Sequence, residues 1–104
     1  MAKAIPIDGT ETSGELEAKI NSGDSYTLDA AAVARFVSRY LADELNEVDL
    51  EHIGDLIEGA EFIEYVGPGS DGLIAQVIFQ MSTPQPSRPI TKEAAQRWLG
   101  LLSD

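Results

Sequence analysis

The order strand, helix, long helix, helix, β-hairpin and C-terminal helix predicts an α+β fold, with the helices packed on one face of a small antiparallel sheet. Three observations carry that expectation. Val33, Phe36, Val37, Tyr40, Leu41 and Leu45 recur at three- and four-residue steps, the spacing of one apolar helix face. Leu73, Ala75, Val77, Phe79 and Met81 alternate with Ile74, Gln76, Ile78 and Gln80, the period of a strand. The run Gly67-Pro68-Gly69-Ser70-Asp71-Gly72 precedes that alternation and reads as a hairpin-type loop. With 104 residues, the chain is expected to form a single domain over 1–104.

The remaining elements follow in order. Lys3 to Asp8 reads as a short strand, and Pro6, lacking a backbone donor, confines it to a sheet edge. Gly9 to Ser13 is a loop. Thr12 and Glu15 have the spacing of a capping box, opening a short helix near 14–21 with Leu16 and Ile20 inward. Asn21-Ser22-Gly23-Asp24 is turn chemistry. Thr27 is placed as the cap of the long helix, expected over about 28–45. Asn46 with Asp49 starts another helix, about 48–58, with Leu50, Ile53, Leu56 and Ile57 as its stripe and Gly59 as its stop.

Residues 60–66 fit two descriptions. Their spacing would prolong the helix, whereas Phe62, Ile63, Tyr65 and Val66 are strand formers. A strand at 61–66 paired with 73–81 explains the intervening loop, so the hairpin is preferred. Ser82 to Pro89 reads as an extended, proline-rich connector. Thr91 then caps a last helix to about 102, with Ala94, Ala95, Trp98, Leu99 and Leu102 inward. Trp98, Phe36, Tyr40, Leu41, Ile53, Ile57, Val77 and Phe79 are the expected core.

Most chemistries are unsupported by the residue inventory. No cysteine is present, which removes disulfides, thiolate metal sites and cysteine nucleophiles. His52 is the one histidine, so neither a histidine-built zinc site nor a catalytic triad is indicated, and it is read as a half-exposed structural residue. Glu64, between Ile63 and Tyr65, faces the far side of a strand rather than a desolvating pocket. The glycine-rich loop lacks the Gly-Lys-Ser/Thr ending of a phosphate cradle and is expected to precede a strand, not a helix. No catalytic residue, cofactor or metal is expected. The first residues carry one lysine and no long apolar run, so neither a leader nor a membrane segment is expected, and a reducing cytoplasm suits the chain.

Charge is the informative feature. Eighteen acids against seven bases give a net charge of −11. Direct contact with a nucleic-acid backbone or an anionic membrane is opposed, and a basic protein partner is favoured. From Leu41 to Ser87 there is no lysine or arginine, while Asp43, Glu44, Glu47, Asp49, Glu51, Asp55, Glu58, Glu61, Glu64 and Asp71 all fall there. Glu47, Glu51, Asp55 and Glu58 step by four, four and three, which places them on one side of a helix, opposite Leu50, Ile53 and Ile57. Like charges at that spacing repel slightly. A solvated surface usually mixes both signs. Asp43, Glu47, Glu51, Asp55, Glu58 and Glu61 are therefore the candidate partner-binding residues.

The segments Ser82-Thr83-Pro84-Gln85-Pro86, Pro89-Ile90-Thr91-Lys92-Glu93-Ala94-Ala95 and Trp98-Leu99, with the acidic cysteine-free composition, resemble those of immunity proteins that neutralise bacterial polymorphic toxins. The resemblance covers about a fifth of the chain and transfers no functional residue. It implies an immunity- or antitoxin-type inhibitor that occludes a basic effector, such as a nuclease. Two alternatives stay open: a nucleic-acid mimic that blocks a DNA- or RNA-binding protein, and a small acidic chaperone or assembly subunit.

Overall fold

The structure is a computed structural model and describes residues 4–83 and 90–102. The elements run β1 (Ile5–Pro6), α1 (Ser13–Asn21), β2 (Tyr26–Leu28), α2 (Ala30–Leu41), α3 (Glu47–Gly59), β3 (Ile63–Tyr65), α4 (Leu73–Ser82) and α5 (Lys92–Leu102). The three strands form one sheet in the order β1-β2-β3, and both pairings are parallel. Ile5 stands opposite Tyr26, and Tyr26 opposite Ile63. The fold is thus α/β, and the expected α+β arrangement with an antiparallel sheet and hairpin is wrong.

Two local misreadings account for the correction. Residues 73–82 are helical because Ile74 and Ile78 belong to the apolar set. Ile74, Val77, Ile78 and Met81 recur at i, i+3, i+4 and i+7, and all four are buried. The alternation had Ile74 and Ile78 in its supposedly outward register, where a strand at a solvated sheet face carries polar residues. Phe79, expected in the core, is instead 53% exposed on the outer side of α4. The second misreading is at Thr27. It lies within β2, and the helix cap is Asp29, whose Oδ1 accepts the Ala32 amide at 2.9 Å. With β2 between α1 and α2, neighbouring strands are joined through helices, which is the connection that parallel pairing requires.

Other boundaries follow from local chemistry. Thr12 and Glu15 form the expected capping box on α1, and Asn46 and Asp49 form another on α3. Ile5 and Ile7 donate to the Ser25 and Thr27 carbonyls while Pro6 between them has nothing to donate, and β1 lies at a sheet edge. The second helix ends at Leu41 rather than near 45. Asp43 adopts φ +63°, its amide donates to Tyr40 and that of Glu44 to Arg39, the reversed ladder that closes a helix through a left-handed residue. Residues 63–65 are a strand, as preferred, but their partner is β2. Residues 84–89, which hold most of the expected proline connector, lie outside the described residues.

Phe36, Tyr40, Ile53, Ile57, Val77 and Trp98 are buried as expected, and Leu41 is half-buried. The main helix contacts are α3 on α4 and α2 on α5, with α1 also against α3. Gly54 makes the first of these close: a Cβ there would lie 2.9 Å from Met81 Cβ and from the Ser82 amide. Trp98 closes α5 onto α4 by donating from its indole nitrogen to Gln80 at 2.7 Å.

Candidate functional site

The base-free acids are placed by α3 and the segments flanking it. At about 100° per residue, Leu50, Ile53, Gly54 and Ile57 share the buried arc. Glu47, Glu51, Asp55 and Glu58 share the adjacent arc, centred about 100° away rather than opposite the core. Val48 and His52 occupy the outermost position. Glu47, Asp55, Glu58 and Glu61 are exposed, and Glu51 is half-buried. The arc borders α4, and Glu58 Oε2 accepts the Ser82 hydroxyl at 2.8 Å. Among the described residues none of these five acids pairs with a lysine or arginine.

Asp43 belongs elsewhere. It ends α2, and its Oδ1 holds Lys92 Nζ at 2.8 Å. That ammonium also reaches the Tyr40 carbonyl at 2.6 Å and lies 4.4 Å from the centre of the Tyr40 ring. A cation at a helix C-terminus offsets the partial negative charge of its last carbonyls. Asp43 is therefore engaged in joining α2 to α5. His52 is exposed, with Nε2 4.0 Å from Glu17 Oε1 on α1.

At the carboxyl end of the sheet, where parallel α/β proteins commonly hold ligands, structural bonds sit beside an open hollow of about 400 Å³ lined by Gly9, Thr10, Arg35, Ser38, Arg39 and Glu44. Arg39 donates from Nη1 to the carbonyls of Gly9 and Glu11 at 3.1 and 2.7 Å, and Arg35 donates to that of Asp8 at 2.7 Å. Glu11, only 4% exposed, accepts the Asp8 and Gly9 amides and pairs with Lys19 at 2.8 Å. Burial alone would raise the Glu11 pKa, but the Lys19 hydrogen bond and the backbone amides outweigh it and hold the carboxyl below its ordinary value. Lys19 is pushed up by its hydrogen bond to Glu11.

The glycine-rich loop also lies at this end, between β3 and α4, so it precedes a helix and not the expected strand, while it still lacks the Gly-Lys-Ser/Thr ending. Gly67, Gly69 and Gly72 have G-x-G-x-x-G spacing ahead of a helix. Three amides at the loop and the start of α4 are taken by the loop's own carbonyls. Ser70 donates to Gly67, and both Gly72 and Ile74 donate to Gly69, at 3.1, 3.3 and 3.0 Å. The loop carries Asp71 and no base, so its chemistry does not suit an anion.

The amino end of the sheet is different. There a cleft of about 190 Å³ is lined by Ile20, Asp24, Tyr26 and the stretch from Gly59 to Ile63. It sits where α1 and α3 end and β2 and β3 begin. Phe62 is 58% exposed at this cleft, while Tyr26 is buried with its hydroxyl 3.2 Å from Ser22 Oγ. Of the sequence-selected residues only Glu61 lines it. A signal for Phe62 was present: with Ile63 and Tyr65 inward on a strand, period two places Phe62 and Glu64 outward.

Among the described residues no group of three or more histidine and acidic side chains is placed to hold a metal, and no helix is long and apolar enough to cross a membrane. No family model, curated protein or solved structure matches the chain.

Proposed function

We propose that the chain is a protein-binding inhibitor of the immunity or antitoxin type, which recognises a basic effector through the acidic flank of α3 and occludes it. The observation that supports this reading is the set of exposed carboxylates at Glu47, Asp55, Glu58 and Glu61, which pair with no lysine or arginine among the described residues. Such a surface repels itself and carries an unbalanced field. A basic partner relieves both, and the field accelerates encounter.

The test is the association rate with the basic protein that the chain captures from its source cell, followed against ionic strength. Glu47→Lys with Asp55→Lys changes two exposed positions that hold no hydrogen-bonded partner across the fold. The double variant is expected to associate about tenfold more slowly at low salt and to show a flatter salt dependence. Glu93→Lys, on α5, is the control and should change the rate far less. Equal rates for the double variant and the parent at low salt would remove the α3 flank from the binding face.

A further inference from the structure

We propose that the cleft at the amino end of the sheet receives an arginine side chain from the basic partner. This rests on the reading of a basic protein partner and adds the point of contact. Three features of the cleft select that occupant.

The first is size. Drug-sized ligands and cofactors occupy pockets of roughly 300–1,000 Å³, and this one measures about 190 Å³. A single long side chain suits that space.

The second is charge. Asp24 and Glu61 stand at the cleft, and among the described residues no lysine or arginine lines it. Helices α1 and α3 both end there, at caps Ser22 and Ala60, which directs the negative ends of two helix dipoles to the same place. The last turn of α3 has no basic residue, and Lys19 in the last turn of α1 is committed to Glu11. A cation is favoured and an anion is not.

The third is the wall. Ile20 and Ile63 give an apolar surface for an alkyl stem, and Phe62 presents an exposed ring. Arginine combines such a stem with a planar, weakly hydrated cation that stacks on aromatic faces, whereas the ammonium of lysine holds its water more tightly. Exposure of Phe62 has no role in the core and is accounted for by such a contact.

The probe is the blocked peptide acetyl-Gly-Arg-Gly-amide, titrated into the isotope-labelled full chain and followed by amide chemical shifts. Its counterpart contains citrulline, which has the same shape without the charge. Saturable shifts are expected at Ile20, Asp24, Tyr26 and Ile63, with affinity in the millimolar range for a single side chain, on the order of 1 mM. The citrulline peptide should bind at least about fivefold more weakly, and Phe62→Ala should weaken the arginine peptide by about the same factor. Glu47→Lys with Asp55→Lys should leave peptide binding at the cleft in place, so failure of the α3 flank and failure of the cleft are separable results. Equal shifts from both peptides would make the cleft an apolar dent and overturn the proposal. Arginine-peptide shifts confined to α3, with the cleft amides unmoved, would overturn it as well.

Discussion

At the carboxyl end of the sheet, Arg35, Arg39, Glu11 and Lys19 stitch the loop after β1 onto α1 and α2. At the amino end, the link from α3 into β3 leaves Phe62 in solvent beside an open cleft. Both ends belong to the same three short strands. The carboxyl end collects the N-termini of α1, α2 and α4, whose unpaired amides are met by Thr12, by Asp29 and by the carbonyls of the glycine loop. The amino end collects C-termini, and there the negative ends of the helices meet Asp24 and Glu61. At the first end the polar groups are satisfied internally, although an open hollow lined by Gly9, Arg35, Arg39 and Glu44 remains beside them. At the second, like charge is gathered with no lysine or arginine beside it among the described residues, which is the basis for proposing a cation there.

The largest effect that would break this contrast is a pair of glycine substitutions. Gly9 and Gly23 have nearly the same backbone, φ +87° and +85°, so an alanine is strained equally at either. Their surroundings differ. A Cβ on Gly9 would lie 2.4 Å from the Ala32 carbonyl oxygen and 2.7 Å from Arg35 Cβ, whereas one on Gly23 would meet nothing within 4 Å. Gly9→Ala is expected to lower stability by about 2–4 kcal/mol, from strain and overpacking together. Gly23→Ala should cost about 1–2 kcal/mol, the left-handed penalty alone. Denaturant midpoints for the two variants decide the matter, and equal losses would mean that the carboxyl end is no more tightly built than the amino end.

A smaller effect sharpens the same contrast through pH. Glu11 is held below its ordinary pKa of 4.5, so the stability it supplies is present above that value and fades as pH falls through the folded pKa. Lys19 is held above 10.5, so its share is present below that pH and fades as pH rises through its own folded value. Glu11→Gln removes the charge but keeps the shape. It should lower stability at neutral pH by about 1–3 kcal/mol, the range for a buried hydrogen-bonded group left poorly partnered. The gap between variant and parent should narrow in acid, as the parent loses what the variant never had. A gap that stays constant between neutrality and strong acid would show that the Glu11 charge does not hold the loop.

The elements that were legible in the sequence are those whose signal is local. Thr12 with Glu15, Asn46 with Asp49, and Thr91 with the Ala94 amide are caps set by neighbours three residues apart, and each forms. Pro6 reveals its edge position because a missing donor is a property of one residue. The sheet topology was not legible, since Tyr26–Leu28 is too short to show a period and its partners lie across α1 on one side and across α2 and α3 on the other. In α4 the apolar residues fit both a period of two and a period of 3.6, and only the burial of Ile74 and Ile78 together separates them. The acidic flank of α3 could be read from charge counting. The cleft could not, because Asp24, Tyr26 and Phe62 are brought together only by parallel pairing of β2 with β3.

The smallest expected effect on stability falls on Phe62, and its smallness is what makes it informative. A buried phenylalanine truncated to alanine loses about 3–5 kcal/mol, because its atoms leave a well-packed interior. Phe62 has most of its surface in water already, so Phe62→Ala should change stability by no more than about 0.5 kcal/mol, the scale of exposed substitutions. Phe36→Ala, at a fully buried position, supplies the comparison within the same chain. If Phe62 also leaves the fold unmoved by amide chemical shifts beyond its neighbours, the ring is there for something other than folding. A loss approaching that of Phe36→Ala would instead place the ring in the structural core. The amino end would then be held by internal packing as the carboxyl end is by internal bonds, and the contrast between them would fall.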